Sequence, residues 1–113
     1  KKWNDQFLFF SPQKNLNPSW FGLPLIIKKK TIKSKKRFLK YLNKNNVETR
    51  PIISGNFANQ PAIKKYNIKY KRNELKNSQE IEDKGFFIGL PTKILDRSKI
   101  NKITNLLLNV NNF

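Results

Sequence analysis

An α+β layer, with helices packed on a small sheet of about three to four strands, is the fold this sequence predicts, in the order βαβ(α)βα. Three observations carry it. Ile100, Ile103, Leu107 and Val110 recur at spacings of three and four, the stripe of an amphipathic helix. Residues 19–28, Ser-Trp-Phe-Gly-Leu-Pro-Leu-Ile-Ile-Lys, are dense in aromatic and β-branched types, as strands are. Phe86 to Leu90 is a short apolar run stopped by Pro91.

Taken in order, residues 1–18 read as an extended lead-in. It holds the cluster Phe7-Leu8-Phe9-Phe10 and is broken by Ser11-Pro12 and Asn17-Pro18. The strand at 19–28 contains Pro24, which argues for an edge position or a bulge. Ser34 is an N-cap candidate for a helix to about Asn45. Phe38, Leu39 and Leu42 form its apolar stripe, and Asn45-Asn46 can end it in a left-handed turn. An extended stretch follows from Val47 to Ile53. Ser54-Gly55-Asn56 is a turn, and Gln60-Pro61-Ala62 can start a short helix. Asn77 with Glu80 fits a capping box for a helix over 78–84, with Gly85 after its end. Asp96 is positioned to cap the last helix.

Composition narrows the chemistry. The chain has 113 residues, enough for one domain, and its apolar fraction of 37% allows only a small core. It contains no Cys, His or Met. Zinc sites, disulfides, thiol nucleophiles and a Ser-His-Asp triad are therefore outside its reach. Lacking Met, the chain reads as a segment of something longer, with Lys1 not a natural start. Lys and Arg number 24 against 7 acids, a formal charge of +17. Such a balance attracts phosphate backbones. Lys outnumbers Arg by 20 to 4, however, and Arg is the residue suited to bidentate recognition. Lys, Asn and Ile make up 48 of the 113 residues, the signature of AT-rich codons. No apolar run approaches the ~20 residues of a membrane helix, and the expected location is the cytoplasm.

Two stretches carry candidate site residues. In Thr49-Arg50-Pro51-Ile52-Ile53-Ser54-Gly55-Asn56 a strand delivers into a small polar turn, the kind of place where ligands are met. Arg50 is suited to a fixed carboxylate or phosphate contact. Taken alone, the residues favour the plainer reading, an ordinary turn beside a surface Arg. In Ser19-Trp20-Phe21-Gly22 the aromatics could stack on bases, with Lys28-Lys29-Lys30 and Lys33 to Arg37 as a phosphate stripe. Core packing is the plainer account there. The glycines form no phosphate-binding motif. Glu80, Glu82 and Asp83 sit near a helix start, where capping and the helix dipole explain them better than a catalytic pair.

Pro18-Ser19-Trp20-Phe21-Gly22, Thr49-Arg50-Pro51, Ser54-Gly55-Asn56, Gln60-Pro61-Ala62 and Gly85-Phe86-Phe87-Ile88-Gly89-Leu90 stand in a familiar order and spacing. In these the chain resembles the C-terminal small domain of the DegT/DnrJ/StrS family of PLP-dependent sugar aminotransferases and dehydratases. The resemblance runs over about residues 7–110 and is closest to the RfbH-like CDP-4-keto-6-deoxyglucose 3-dehydrase branch. Ile53-Ser54 replaces the family's usual Phe-Ala, and Phe87 stands where Trp is common.

The resemblance implies the small domain of a fold-type I PLP enzyme, with residues 1–18 leading in from a large domain and 19–113 forming the small one. It implies a parent that aminates or 3-dehydrates a nucleotide-linked 4-keto-6-deoxy sugar for surface polysaccharide, and that pairs as a homodimer. The cofactor, PLP or PMP, would belong to the large domain; none is expected on this chain alone, which would itself be inactive. No catalytic residue and no metal ligand is assigned here. Arg50, Ser54, Gly55 and Asn56 would face the substrate–cofactor adduct, and Trp20, Phe21 and Gly22 would shape the site. The alternative is a free-standing basic module that binds single-stranded nucleic acid through Lys and aromatic residues.

Overall fold

The computed structural model describes residues 2–28 and 34–113. Lys29, Lys30 and Lys33, three basic residues of the expected stripe, lie outside the described residues. Among the described residues, the elements are α1 (Lys2–Gln6), β1 (Phe7–Phe9), β2 (Gly22–Ile27), α2 (Lys35–Lys44), β3 (Thr49–Arg50), α3 (Pro61–Lys65), α4 (Lys76–Lys84), β4 (Gly85–Gly89) and α5 (Arg97–Leu108). Short 3₁₀ turns cover Phe57–Asn59, Arg72–Leu75 and Asn109–Asn112.

The strands form one antiparallel sheet in the order β1-β2-β4-β3, the α+β architecture expected. Side chains alternate between its two faces. Phe7, Leu25, Ile27, Phe86 and Ile88 lie on one face, where Phe38 and Leu42 of α2, Leu107 of α5 and Val110 complete a buried cluster. Three Phe rings lock its centre: Phe38 stands edge-on to Phe86 at 6.0 Å, and Phe7 meets both at 6.4–6.5 Å. The opposite face carries Leu8, Pro24, Ile26, Phe87 and Arg50 by the same alternation, and it is covered far less. Leu8 and Phe21 are exposed there, and α4 reaches only part of it.

Four expectations are corrected. Residues 2–9 are not a simple extended lead-in: Lys2–Gln6 are helical, and Phe7–Phe9 pair with Ile27–Leu25. Burial of Phe7 explains this, since docking one Phe side chain stabilises by about 1.5–3 kcal/mol. Pro24 is not on an edge strand, because β2 has neighbours on both sides. Yet β1 reaches only to Leu25, so at Pro24 itself one side is open and the edge condition holds locally. The capping box at Asn77 does not form. The chain is already turning through Arg72–Leu75, and α4 starts at Lys76 with no side-chain cap. The extended stretch 47–53 contributes only Thr49 and Arg50 as strand.

Other local expectations hold. The Ser34 hydroxyl accepts from the Arg37 N–H, and Asn46 closes α2 with φ +61°. Asp96 accepts from the Lys99 N–H at 2.8 Å. That backbone bond, then the Lys99 ammonium at 3.1 Å, holds the Asp96 carboxyl below its ordinary value of 3.8. A carboxylate with a depressed folded-state pKa stabilises above its unfolded value and loses that contribution as pH falls through the folded one. Asp96→Ala is therefore expected to lower the urea midpoint at pH 7. The gap from the unsubstituted chain should close as the medium is acidified from 3.8 downwards. A gap that persists unchanged in acid would show that the cap does not act through the carboxylate charge.

Candidate functional site

On the less-covered face, Phe21, Glu48, Arg50, Phe87 and Gly89 line a cleft of about 210 Å³. Strand pairing builds it. Arg50 lies opposite Phe87, so β3 delivers Arg50 to that face, and Glu48, just before the strand, lines the same cleft. Beyond the end of β2, the Leu90 N–H donates to the Phe21 carbonyl at 2.9 Å, fixing Phe21 beside Phe87. Their rings meet edge-on at 5.5 Å. Gly22 makes this possible, because a Cβ there would stand 2.6 Å from Phe87 Cδ2. Arg50 donates from Nε and Nη2 to Glu48 Oε1 at 2.9 and 2.7 Å. Both side chains are mostly exposed, so the pair adds little stability. What it does is present a guanidinium and a carboxylate side by side against aromatic carbon.

Past Pro51 the chain turns against α4. The Gly55 N–H donates to Ile52 O at 2.9 Å, closing a turn in which Ile53 and Gly55 both have left-handed backbone, φ +47° and +62°. Gly55 tolerates this; a β-branched Ile does so only under strain, and its side chain is 79% exposed. Asn56 is buried and fully used. Its N–H donates to Glu82 Oε2, its Nδ2 to Gln79 Oε1, and its Oδ1 accepts from the Ala58 N–H. Asn59 Nδ2 donates to the same two acceptors, and Gln60 Nε2 donates to Ser54 O. Lys35 crosses from α2 to donate to the Glu82 carbonyl at 2.7 Å. Burial lowers the Lys35 pKa from 10.5, opposed by the negative charges of Asp83 and Glu82.

The structure divides the sequence-predicted residues into two groups. Arg50 and Phe21 share the cleft, and Gly22 shapes it. Ser54 and Gly55 line a separate hollow of about 270 Å³ against Ile81 and Glu82. Asn56 points inward, so its side chain shapes the turn while Ile53 and Ser54 form the outward surface. Trp20 is half-exposed and lines neither hollow. Sequence reasoning missed Glu48, Phe87, Gln79 and Glu82. Glu48 was findable, since residues two apart on a strand share a face. Glu82 was not, because the residues it binds lie 23–26 positions away. The three acids Glu80, Glu82 and Asp83 are each engaged separately, with Lys84, the turn and Gln79.

The sequence profile of the DegT/DnrJ/EryC1/StrS aminotransferase family matches residues 4–107. The chain belongs to this family. Among characterised relatives it is 34% identical over 77 residues to GDP-4-keto-6-deoxy-D-mannose 3-dehydratase of Escherichia coli, which is 68% of this chain and 20% of that protein. It is 33% identical over 75 residues to the lipopolysaccharide biosynthesis protein RfbH of Salmonella typhimurium, 66% of this chain and 17% of that one. The fold superposes on the E. coli dehydratase with bound hydrated PLP at a TM-score of 0.75 and 29% identity. That match covers 94% of this chain and 27% of the solved one. The part of this chain that matches thus spans between 17% and 27% of these relatives' length. Among its described residues no helix is long and apolar enough to cross a membrane.

Proposed function

We propose that this chain is the C-terminal small domain of an enzyme that aminates or 3-dehydrates a nucleotide-linked 4-keto-6-deoxy sugar for surface polysaccharide. The segment 1–18 leads in from a large domain of the same cytoplasmic polypeptide, which pairs as a homodimer; its Phe7–Phe9 strand docks on the sheet of residues 19–113, which close over the active site. The observation that carries this is the Glu48–Arg50 pair set against Phe21 and Phe87. A sugar offers hydroxyls that both donate and accept, and C–H faces that pack on aromatic carbon. Arg50 supplies donors, Glu48 an acceptor with Oε2 still available, and Phe21 the apolar wall. A site for a bare anion would have no use for the carboxylate.

At about 210 Å³ the cleft is smaller than the ~300–1,000 Å³ of a complete small-molecule site, so a second surface must finish it. The exposed Leu8, Phe21 and Leu90 near this sheet face suit cover by a large domain. PLP or PMP held by that domain supplies the electron sink for the reaction. This chain offers the cofactor no seat of its own. Of the lysines with described side chains only Lys35 and Lys84 are half-buried, and both are engaged, with Glu82 O and Glu80 Oε1. The chain's part is to bind and orient the sugar and to exclude water from it. A nucleic-acid module is disfavoured: Phe21 packs edge-on against Phe87 beside a carboxylate rather than standing free along a basic groove.

The test is Arg50→Ala in the full-length enzyme, assayed with nucleotide-linked 4-keto-6-deoxy sugars. Loss of a charge-assisted contact should raise KM by about 10- to 100-fold. Arg50→Lys should recover only part of this, because the planar fork is lost. Unchanged turnover and sugar affinity in Arg50→Ala would overturn the assignment.

A further inference from the structure

We propose that Glu82, with Gln79, is a positioning residue that clasps the 53–56 turn onto α4 and so holds the turn's outward surface, Ile53 and Ser54, in one preformed shape. This rests on the proposed function and on the turn Ser54-Gly55-Asn56 facing the sugar–cofactor adduct, as the family resemblance implies. Four features converge on Glu82. Its Oε2 accepts from the Asn56 N–H at 3.0 Å and from Asn59 Nδ2 at 2.7 Å, bridging both ends of the segment 56–59. Its Cβ and Cγ lie 3.0 Å from where a Cβ on Gly55 would stand, so the turn is seated directly on its stem. One turn earlier on the same helix face, Gln79 Oε1 accepts from both Asn56 Nδ2 and Asn59 Nδ2 at 3.0 Å. Lys35 fastens the Glu82 carbonyl from the far side.

The reason to read this clasp as more than packing is what it restrains. Ile53 is a β-branched residue in left-handed backbone with its side chain turned out to solvent. The Gly55 N–H to Ile52 O bond closes the turn locally, but it works against the preference of a β-branched residue, so contacts from α4 are needed to hold the shape. A loop that shapes a binding wall binds better when the shape is fixed beforehand, since ordering it on ligand entry would weaken affinity. Glu82 also lines the hollow beside Ile53 and Ser54, but its carboxylate accepts from the turn and its carbonyl from Lys35. Its effect is transmitted through Asn56 and Gly55, which are adjacent in sequence to the residues on display.

The experiment compares Glu82→Ala, Glu82→Gln and Gln79→Ala in the full-length enzyme, reading hydrogen exchange over 52–60 alongside KM and kcat. In Glu82→Ala, exchange over 52–60 should rise about tenfold or more while β2 and β4 stay protected. KM for the nucleotide sugar should rise about tenfold with kcat held within about threefold. Glu82→Gln should recover most of both, because both bonds end on a single oxygen that an amide can replace. If Glu82→Ala does not fold, Gln79→Ala is expected to show the same pattern at about threefold. Unchanged exchange over 52–60 overturns the clasp. Raised exchange with unmoved KM, in a background where Arg50→Ala does raise KM, overturns the positioning role alone. Silence of both Arg50→Ala and Glu82→Ala in KM overturns the reading of the site beneath it.

Discussion

Phe38→Ala is expected to lower the unfolding free energy of this chain by about 3–5 kcal/mol, the range for emptying a fully buried aromatic position. Phe38 has no exposed surface, and its ring is met by Phe7, Phe86 and Phe113 at 6.5, 6.0 and 5.7 Å. With Leu42 it is one of the two fully buried side chains that α2 sets on the sheet, and its ring is the one that contacts the other core aromatics. Domains of this size are stable by about 5–15 kcal/mol, so the variant would stand at the edge of folding. Phe38→Leu keeps much of the volume and should lose far less, though the edge-on aromatic contacts go with the ring. Chemical denaturation of the three proteins decides it. A loss below about 1 kcal/mol in Phe38→Ala would mean that the three-ring centre is not the core.

The second large effect is expected at Gly85, where α4 runs straight into β4. Its backbone is ordinary extended chain, φ −80°, so conformational freedom is not the reason for glycine there. Room is. A Cβ would stand 2.4 Å from the Ile81 carbonyl oxygen and 2.9 Å from Ile52 Cδ1, and the first of these is backbone that a side-chain rotation cannot relieve. Gly85→Ala should destabilise by about 3 kcal/mol or more, because either the last turn of α4 or its junction with β4 must move. Gly89 is the matched control at the other end of the same strand, with nothing within 4 Å of a Cβ. Gly89→Ala should change stability by well under 1 kcal/mol. Equal effects at the two positions would contradict the tight helix-to-strand junction. Since the turn at 53–56 leans on the same stretch of α4, Gly85→Ala should also disturb it, whereas Phe38→Ala acts through the opposite face.

Much of the fold was legible because its signals are local. The spacing of Phe38 and Leu42, and of Ile103, Leu107 and Val110, sets which side of each helix is buried. Ser34 and Asp96 mark the helix starts through bonds spanning three residues. Gly85 was visible as a boundary, but for the wrong reason: a glycine after a helix suggests left-handed backbone, whereas here it answers to a crowd of atoms that only the packed chain brings together. Phe7–Phe9 could not be read as a strand from three apolar residues beside breakers, because what makes them one is the distant partner Leu25–Ile27. The capping box at Asn77 failed from the same cause in reverse, as a nucleus upstream had already set the helix phase.

The site divides along the same line. By itself the sequence determined the family, through motifs whose order survives along the chain, and it singled out Arg50 and the Ser54-Gly55-Asn56 turn as candidates. It also determined what chemistry is absent, since no fold can supply His or Cys to a chain without them. Only the tertiary structure decided that Arg50 meets Phe21 and Phe87 while Asn56 turns inward to α4. Pairing across β2, β4 and β3 joins residues as far apart as Gly22 and Gly89, and no periodicity along the chain encodes which strand lies beside which. Glu82 shows the same limit, because a carboxylate on a helix looks alike in sequence whether it faces water or holds a turn.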